Sequence, residues 1–521
     1  MRSFVSNALL INILTIIGVL PLFIALDRTP IPWIDEVLWA STSLSVINGH
    51  EGKPSVLDAF PDTGRFDLFY GPVGFYLGAF WMKISGVSAW NWRLLSFAGG
   101  ISIIMLSALI VRALGGSNVL AATGACVVGF STSLGSSINS GRLDTFTIAL
   151  ELAALYLLLR SMQRRGRDRC SYSVLAGAGI AAAALSTPRA LPFCAGLAVG
   201  AIALLCHRSQ RQVFGAFFPA AIVSSTAVCL WQYSQGLSIV GWLKYLALVA
   251  KGDSSNISPV LGGSWGSRNA LYLPELGAPI VVALLACCLS WIVVEVHRHT
   301  GEWIGCQPEL AFLLVVGATN LLLSFALFSR VLNYQLFFMV PVLISLLMLA
   351  QLLLMVTPSA ITRKVVLASW VGLGVLGLGI RAAKVIELFE SWSSRNPKPI
   401  EAFITANIPA KSIVLGLDPC YFWAVQDSGS KYLWIEENTT PGLSSHSRLN
   451  ARTLVTEAAR QPIYLVWKRG SVLSPELSAL HVRRTASFEA PAIKGLDIFS
   501  KIRNRIGSGY PQTDVYIVRV Y

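Results

Sequence analysis

Long apolar runs divide this chain, and they decide most of what it can fold into. Runs at about 7–26, 92–113, 118–138, 143–160, 172–187, 189–206, 213–232, 276–296, 309–328, 331–356 and 364–385 carry few charges. Most are close to the roughly 20 residues that a helix needs to cross the hydrocarbon core of a bilayer. The first, about Asn7 to Leu26, is long enough to span and is followed by no clear small-residue cleavage site, so it reads as an uncleaved span and not as a signal peptide. Composition agrees. The chain is 54% hydrophobic and only 13% charged, whereas soluble domains are roughly 45–50% apolar and about 25% charged. The expected fold is a polytopic α-helical membrane protein of about 11 spans with a small C-terminal α/β domain outside the cytoplasm.

Much of the net charge of +14 lies in short clusters between the apolar runs: Arg160 to Arg169, His207 to Arg211, His297 to His299, and Arg363 with Lys364. Cytoplasmic loops gather Lys and Arg in this way, so the charge orients a membrane protein and gives no reason to expect nucleic acid. The segment 70–86 is the one ambiguous run. Treated as a full span, it prevents the basic clusters from all facing inward. Treated as an amphipathic helix along the outer surface, it lets every cluster fall inside. The first loop, the Asn139–Asp144 turn, the 233–275 loop and the C-terminal region then fall outside, which fits a multi-pass protein of the cytoplasmic (inner) membrane.

Composition shifts near residue 390. Residues 1–390 are expected to form the transmembrane domain and 391–521 the extracytoplasmic α/β domain. Within the latter, Pro399–Asn407 is helix-like, while Ser412–Leu417, Ile463–Trp467 and Asp514–Tyr521 are strand-like. Other signals carry little. The nine cysteines lie mostly in or beside apolar runs and lack metal or disulfide spacing. The glycines Gly372, Gly374 and Gly377 match a dinucleotide-binding pattern in form only, inside an apolar run with no strand before it. The sequons at Asn256 and Asn438 are short enough to arise by chance.

The chemistry is concentrated in the stretch from Ile34 to Tyr76, which carries Asp35, Glu36, Asp58, Asp62 and Asp67 next to Trp33 and Trp39. Tryptophans of this kind favour the membrane–water boundary. At the outer ends of later runs come Arg142 and Asp144, then Arg189, then Arg330 and Tyr334, with Arg268 in the large outer loop. Ionisable groups at membrane depth are costly and usually mark a site or a pairing. A carboxylate surrounded by arginines suits an anionic substrate with a proton to be removed: arginines grip phosphate through forked hydrogen bonds, and an aspartate can act as general base. Each residue also has a plainer reading. Asp35 could be a solvated loop acid, Arg142 with Asp144 a local ion pair at a helix start, and Arg189 or Arg330 a snorkelling side chain.

Taken in order, these motifs resemble the GT-C superfamily of membrane glycosyltransferases, in particular bacterial relatives of the protein O-mannosyltransferases and of the lipid A aminoarabinose transferases. The resemblance rests on Trp33-Ile-Asp35-Glu36 with the Gly49-His50 turn, on Tyr70-Gly-Pro72 through Tyr76, and on Trp92-Arg93-Leu94-Leu95-Ser96. It continues in Ser140-Gly-Arg142-Leu-Asp144, Ser186-Thr-Pro-Arg189, and Ser329-Arg330-Val-Leu-Asn-Tyr334 with Pro341. It covers about residues 1–360. Tyr70-Gly71-Pro72 departs from it by lacking the basic residue that some relatives carry before the proline.

The resemblance implies transfer of a sugar from a polyprenyl-phosphate donor to a lipid, glycan or protein acceptor on the outer face of the membrane. It implies Asp35 as general base in one inverting displacement, with Glu36 orienting Asp35 or the acceptor. Arg142, Arg189 and Arg330 are expected to hold phosphate, Asp144 to position Arg142 or sugar hydroxyls, and Tyr70 and Tyr334 to contact substrate. The scheme needs no metal or other cofactor, although an acidic first loop could bind a divalent cation. A transporter or flippase for a lipid-linked or anionic solute is the alternative, and a structural subunit of an envelope assembly a third. Transporters often show an internal repeat with broken helices at the midplane, which this sequence lacks.

Overall fold

A computed structural model describes residues 2–50, 52–57, 65–205, 210–238, 240–241, 308–328, most of 336–350, 360–416, 418–434, 462–470, 481–491 and 509–519. In chain order the helices are α1 (Arg2–Ile24), α2 (Ile34–Ile47), α3 (Phe66–Tyr70), α4 (Pro72–Ser85), α5 (Ala89–Ala113), α6 (Asn118–Phe130), α7 (Thr132–Ser137), α8 (Asp144–Gln163), α9 (Gly166–Ala184) and α10 (Leu191–Leu205). They continue as α11 (Gln210–Ser234), α12 (Pro308–Phe328), α13 (Ala360–Glu390), α14 (Lys398–Asn407) and α15 (Phe422–Asp427). The strands are β1 (Ile413–Gly416), β2 (Lys431–Trp434), β3 (Ile463–Lys468), β4 (His481–Phe488) and β5 (Thr513–Arg519).

The chain is mostly helical with one small sheet. Among the described residues, four helices are long and apolar enough to cross a membrane: Ala89–Ala113, Asp144–Gln163, Pro188–Leu205 and Gln212–Ser234. Ala8–Ile24, Asn118–Phe130, Phe312–Leu323 and Met339–Met348 are shorter apolar helices. The expected run 276–296 lies outside the described residues, and 331–356 does so in part. One expected span is broken. The run 118–138 is interrupted at Ser131, whose ψ of 141° leaves helical geometry. The Ser131 hydroxyl accepts from the amide of Leu134 at 3.3 Å and starts α7, as an N-cap serine does. The ambiguous segment 70–86 holds α4, whose 14 residues fall short of the roughly 20 that a span needs.

The molecule divides into two compact units. The first comprises Met1–Leu20, Phe97–Ile138 and Asp144–Arg381. Here α9 packs on α8 and α11, and α10 packs on α12. Small residues permit the approach: a Cβ at Gly177 would meet Ala220 O at 2.5 Å, and one at Gly196 would meet Val316 O at 2.9 Å. Such glycine contacts are how helices close on one another where burial of apolar surface gives no drive. Large apolar side chains such as Met105, Ile202, Phe214, Phe218 and Leu230 stand exposed, on a scale unusual for a soluble monomer. Inside, Arg381 donates to the carbonyls of Gly129 (3.0 Å) and Gly18 (3.4 Å). The first belongs to the last turn of α6, where helical carbonyls lack an intrahelical partner.

The second unit comprises Pro21–Ser96, Asn139–Leu143 and Ala382–Tyr521. Its sheet runs β2-β1-β3-β5-β4; β1 is parallel to β2 and β3, while β5 is antiparallel to β3 and β4. Side chains alternate across it, as the period of a strand requires. Ile413, Leu415, Ile463, Leu465 and Trp467 fill one face. Val414, Tyr464, Val466 and Val515 face the other way, into a core that also holds Val37, Trp39 and Leu44 of α2, Phe75 of α4, and Trp92. The first loop and the C-terminal segment therefore fold around one core.

Candidate functional site

The acidic pair Asp35-Glu36 lies in the first turn of α2, where the helix macrodipole favours negative charge. Successive residues on a helix point about 100° apart, and the two carboxylates have opposite surroundings. Asp35 keeps 35% of its side chain exposed, and its Oδ2 accepts from Nη1 of Arg142 at 2.9 Å. Glu36 is fully buried.

Arg142 belongs to a short loop held in place backbone atom by backbone atom. The indole N–H of Trp33 donates to Ser140 O at 2.9 Å, that of Trp92 to Gly141 O at 2.6 Å, and the hydroxyl of Ser96 to Arg142 O at 2.9 Å. Gly141 has a φ of +70°, a conformation open to glycine and strained for other residues. The Arg142 guanidinium lies 5.5 Å from the centroid of the Trp33 ring, within cation–π range, and the side chain is 1% exposed. With the loop fixed at three successive carbonyls, the Asp35–Arg142 pair has little freedom to drift.

Glu36 anchors the other side of the same turn. Arg93 grips it with two bonds, Nε to Oε1 at 2.8 Å and Nη2 to Oε2 at 2.7 Å, and donates through Nη1 to Leu26 O at 2.9 Å. The indole N–H of Trp423 donates to Glu36 Oε1 at 3.1 Å. Burial pushes the Glu36 carboxyl above its ordinary value, and Arg93 and the Trp423 indole offset part of that. Both members of the pair are wholly out of solvent, so removing either leaves an uncompensated buried charge. In this geometry both Glu36 oxygens are bonded and the side chain has no exposed surface.

The first unit holds a second pair. Asp144 opens α8, and its Oδ1 accepts from Arg189 Nη1 at 3.1 Å. Arg189 occupies a short 3₁₀ turn (Pro188–Ala190) capped by Thr187. Two turns along α8, Glu151 is also buried. Asp144, expected to position Arg142 or sugar hydroxyls, is hydrogen-bonded to Arg189, 45 residues on. Tyr70 packs its ring against Trp39, with centroids 4.9 Å apart, and lies near Phe75. Arg268, Arg330 and Tyr334 lie outside the described residues. Sequence reasoning gave no role to Arg93 or Trp423. The available signal for Arg93 was its place in the Trp92-Arg93-Leu94-Leu95-Ser96 motif near the start of an apolar run, whereas Trp423 had none. Among the described residues no group of three or more His, Cys, Asp or Glu side chains converges as a metal site would.

The fold is that of the GT-C membrane glycosyltransferases, the class that the sequence motifs resemble. The chain superimposes on the crystal structure of ArnT from Cupriavidus metallidurans in the apo state with a TM-score of 0.57 at 12% identity, covering 98% of this chain and 97% of that one. The same protein bound to undecaprenyl phosphate gives 0.55 at 13% identity, with 98% of each chain covered. Arabinofuranosyltransferase AftD from Mycobacteria gives 0.52 at 15% identity, over 100% of this chain and 42% of that one. Residues 70–233 match the family model of the dolichyl-phosphate-mannose-protein mannosyltransferases, which covers less than half of the chain. No curated protein sequence matches it.

Proposed function

We propose that this protein is an integral-membrane glycosyltransferase that acts on polyprenyl-phosphate-linked substrates. It moves a sugar from such a donor to an acceptor on the outer face of the cytoplasmic membrane. One observation carries the reading: Asp35 has one oxygen held by Arg142 while a third of its side chain stays open to solvent. That is what a general base needs, because it must be fixed in direction and still reachable by a hydroxyl. The family match over residues 70–233 and the likeness to a structure bound to undecaprenyl phosphate support a lipid-linked donor.

In the proposed step Asp35 takes the proton of the acceptor hydroxyl, and the acceptor oxygen attacks the anomeric carbon. The bond from that carbon to the phosphate oxygen breaks, and polyprenyl phosphate leaves with the electron pair. A single displacement inverts the anomeric centre. Arg142 orients the base, and Glu36 fixes the turn that carries it. Arg189 and Arg330 are assigned to the phosphate, whose developing charge arginines stabilise. Asp144 directs Arg189, and Tyr70 and Tyr334 are assigned to substrate contact. The C-terminal segment lies on the outer side, so a reporter fused after Tyr521 is expected to be active only outside the cytoplasm.

The test uses purified protein in lipid vesicles with a panel of polyprenyl-phosphate sugars, following release of free polyprenyl phosphate. Release that depends on Asp35 is expected. A donor that binds and crosses the bilayer uncleaved would instead identify a transporter.

A further inference from the structure

We infer that Trp423, in the C-terminal segment, is a positioning residue for the base Asp35; this rests on the function proposed above. A buried tryptophan is ordinarily a large apolar filler, and Trp423 does pack on Phe422, with ring centroids 4.9 Å apart. Its N–H, however, is spent on a buried carboxylate, although any carbonyl would have satisfied it.

Glu36 is placed so that its position controls the Asp35–Arg142 pair from both ends. It follows Asp35 directly in the first turn of α2. Its side chain also lies against Gly141, where a Cβ would come within 2.5 Å of Glu36 Cγ, and Gly141 directly precedes Arg142. A shift of Glu36 therefore moves the base through the chain and its arginine through van der Waals contact. Two groups hold Glu36 in place. Arg93 comes from the start of α5, and Trp423 is the contribution of the C-terminal segment, 387 residues away. Catalytic groups lose efficiency steeply with displacements of about 1 Å, so the C-terminal segment completes the site without touching substrate.

The experiment compares Trp423→Phe, which keeps an aromatic ring without a donor, with Trp423→His, which restores a ring N–H. Both are measured in the full-length protein in vesicles. Trp423→Phe is expected to lower kcat about tenfold with donor KM within about twofold, and Trp423→His to recover part of the loss. Hydrogen exchange is read in parallel, because it needs no activity. Amides of 34–47 are expected to exchange faster in Trp423→Phe than in Trp423→His, with β1 and β3 unchanged. Full activity in Trp423→Phe overturns the inference. Equal losses in both variants overturn it too, since packing alone would then explain them. Should wild-type protein turn over no donor, the proposed function fails on its own, and the exchange comparison still decides the role of Trp423.

Discussion

Asp35 and Glu36 are neighbours in sequence and opposites in environment: one carboxylate is half-open and the other is sealed from solvent. Glu36 has both oxygens bonded and no exposed surface; Asp35 has one arginine and an open side. A buried, fully bonded ion pair adds little net stability over an apolar replacement, yet is costly to break. It is therefore better suited to fixing geometry than to chemistry. A half-open pair gains less from its partner and keeps a lone pair available for a proton. One helical turn thus carries a sealed carboxylate beside a half-open one, the division that the proposed mechanism uses.

The contrast can be broken at either member. Asp35→Asn is expected to reduce transfer by about 10³-fold, within the range typical of a lost general base, with thermal stability and donor binding largely kept. Turnover and donor affinity measured on the same preparation check this, and retained turnover would remove Asp35 from the mechanism. Arg93→Ala is expected to act through stability, at a cost of about 3–5 kcal/mol, because it strands Glu36 without its counter-charge. A replacement of the whole pair, Arg93→Met with Glu36→Leu, should recover much of that stability but not turnover. Melting and activity of the two variants test whether anchoring and catalysis separate in this way. Gly141→Ala is smaller, at about 1–3 kcal/mol, since it adds left-handed backbone strain and a close contact with Glu36. Normal stability there would mean that the loop carrying Arg142 relaxes more easily than its three bonded carbonyls suggest.

Local pattern carried the parts of this molecule that local physics decides. Apolar runs gave the long helices α5, α8 and α11, and strand-like segments gave β1, β3 and β5 within a residue or two. The strand β2 and the exposed edge strand β4 went unread, being short in one case and polar in the other. At the site, Asp35 and Arg142 were legible as unusual residues for their surroundings. Their partners were not, because the pairings span 57 residues for Glu36 with Arg93, 107 for Asp35 with Arg142 and 387 for Glu36 with Trp423. Nothing in a local window encodes such a contact. The broken span at Ser131 shows the converse: a single N-capping hydroxyl interrupted a helix that hydropathy alone would have continued.

A third carboxylate sharpens the comparison by showing what happens when a counter-charge answers incompletely. Asp427 ends α15, and although the residue as a whole is exposed, its carboxyl is raised from 3.8 to about 6. Partial desolvation is the main cause and the nearby Glu401 adds to it, while Lys398 opposes both. Lys398 is committed to Glu401, which it meets at 2.8 Å, and so compensates Asp427 only partly. A raised carboxyl means that the folded state binds a proton more readily than the unfolded chain between about pH 4 and 6. Stability is then lost as pH rises through that window. Asp427→Asn removes the ionisation, so the variant should be more stable than wild type at pH 7 and equal to it below about pH 4. Solvent screening keeps the gain small, on the order of a few tenths of a kcal/mol, and added salt should shrink it further. Melting curves across pH at two ionic strengths check this. A gain that persisted at pH 4 would trace to packing, and Asp427 would then offer no contrast with the buried Glu36, whose oxygens are both bonded by Arg93.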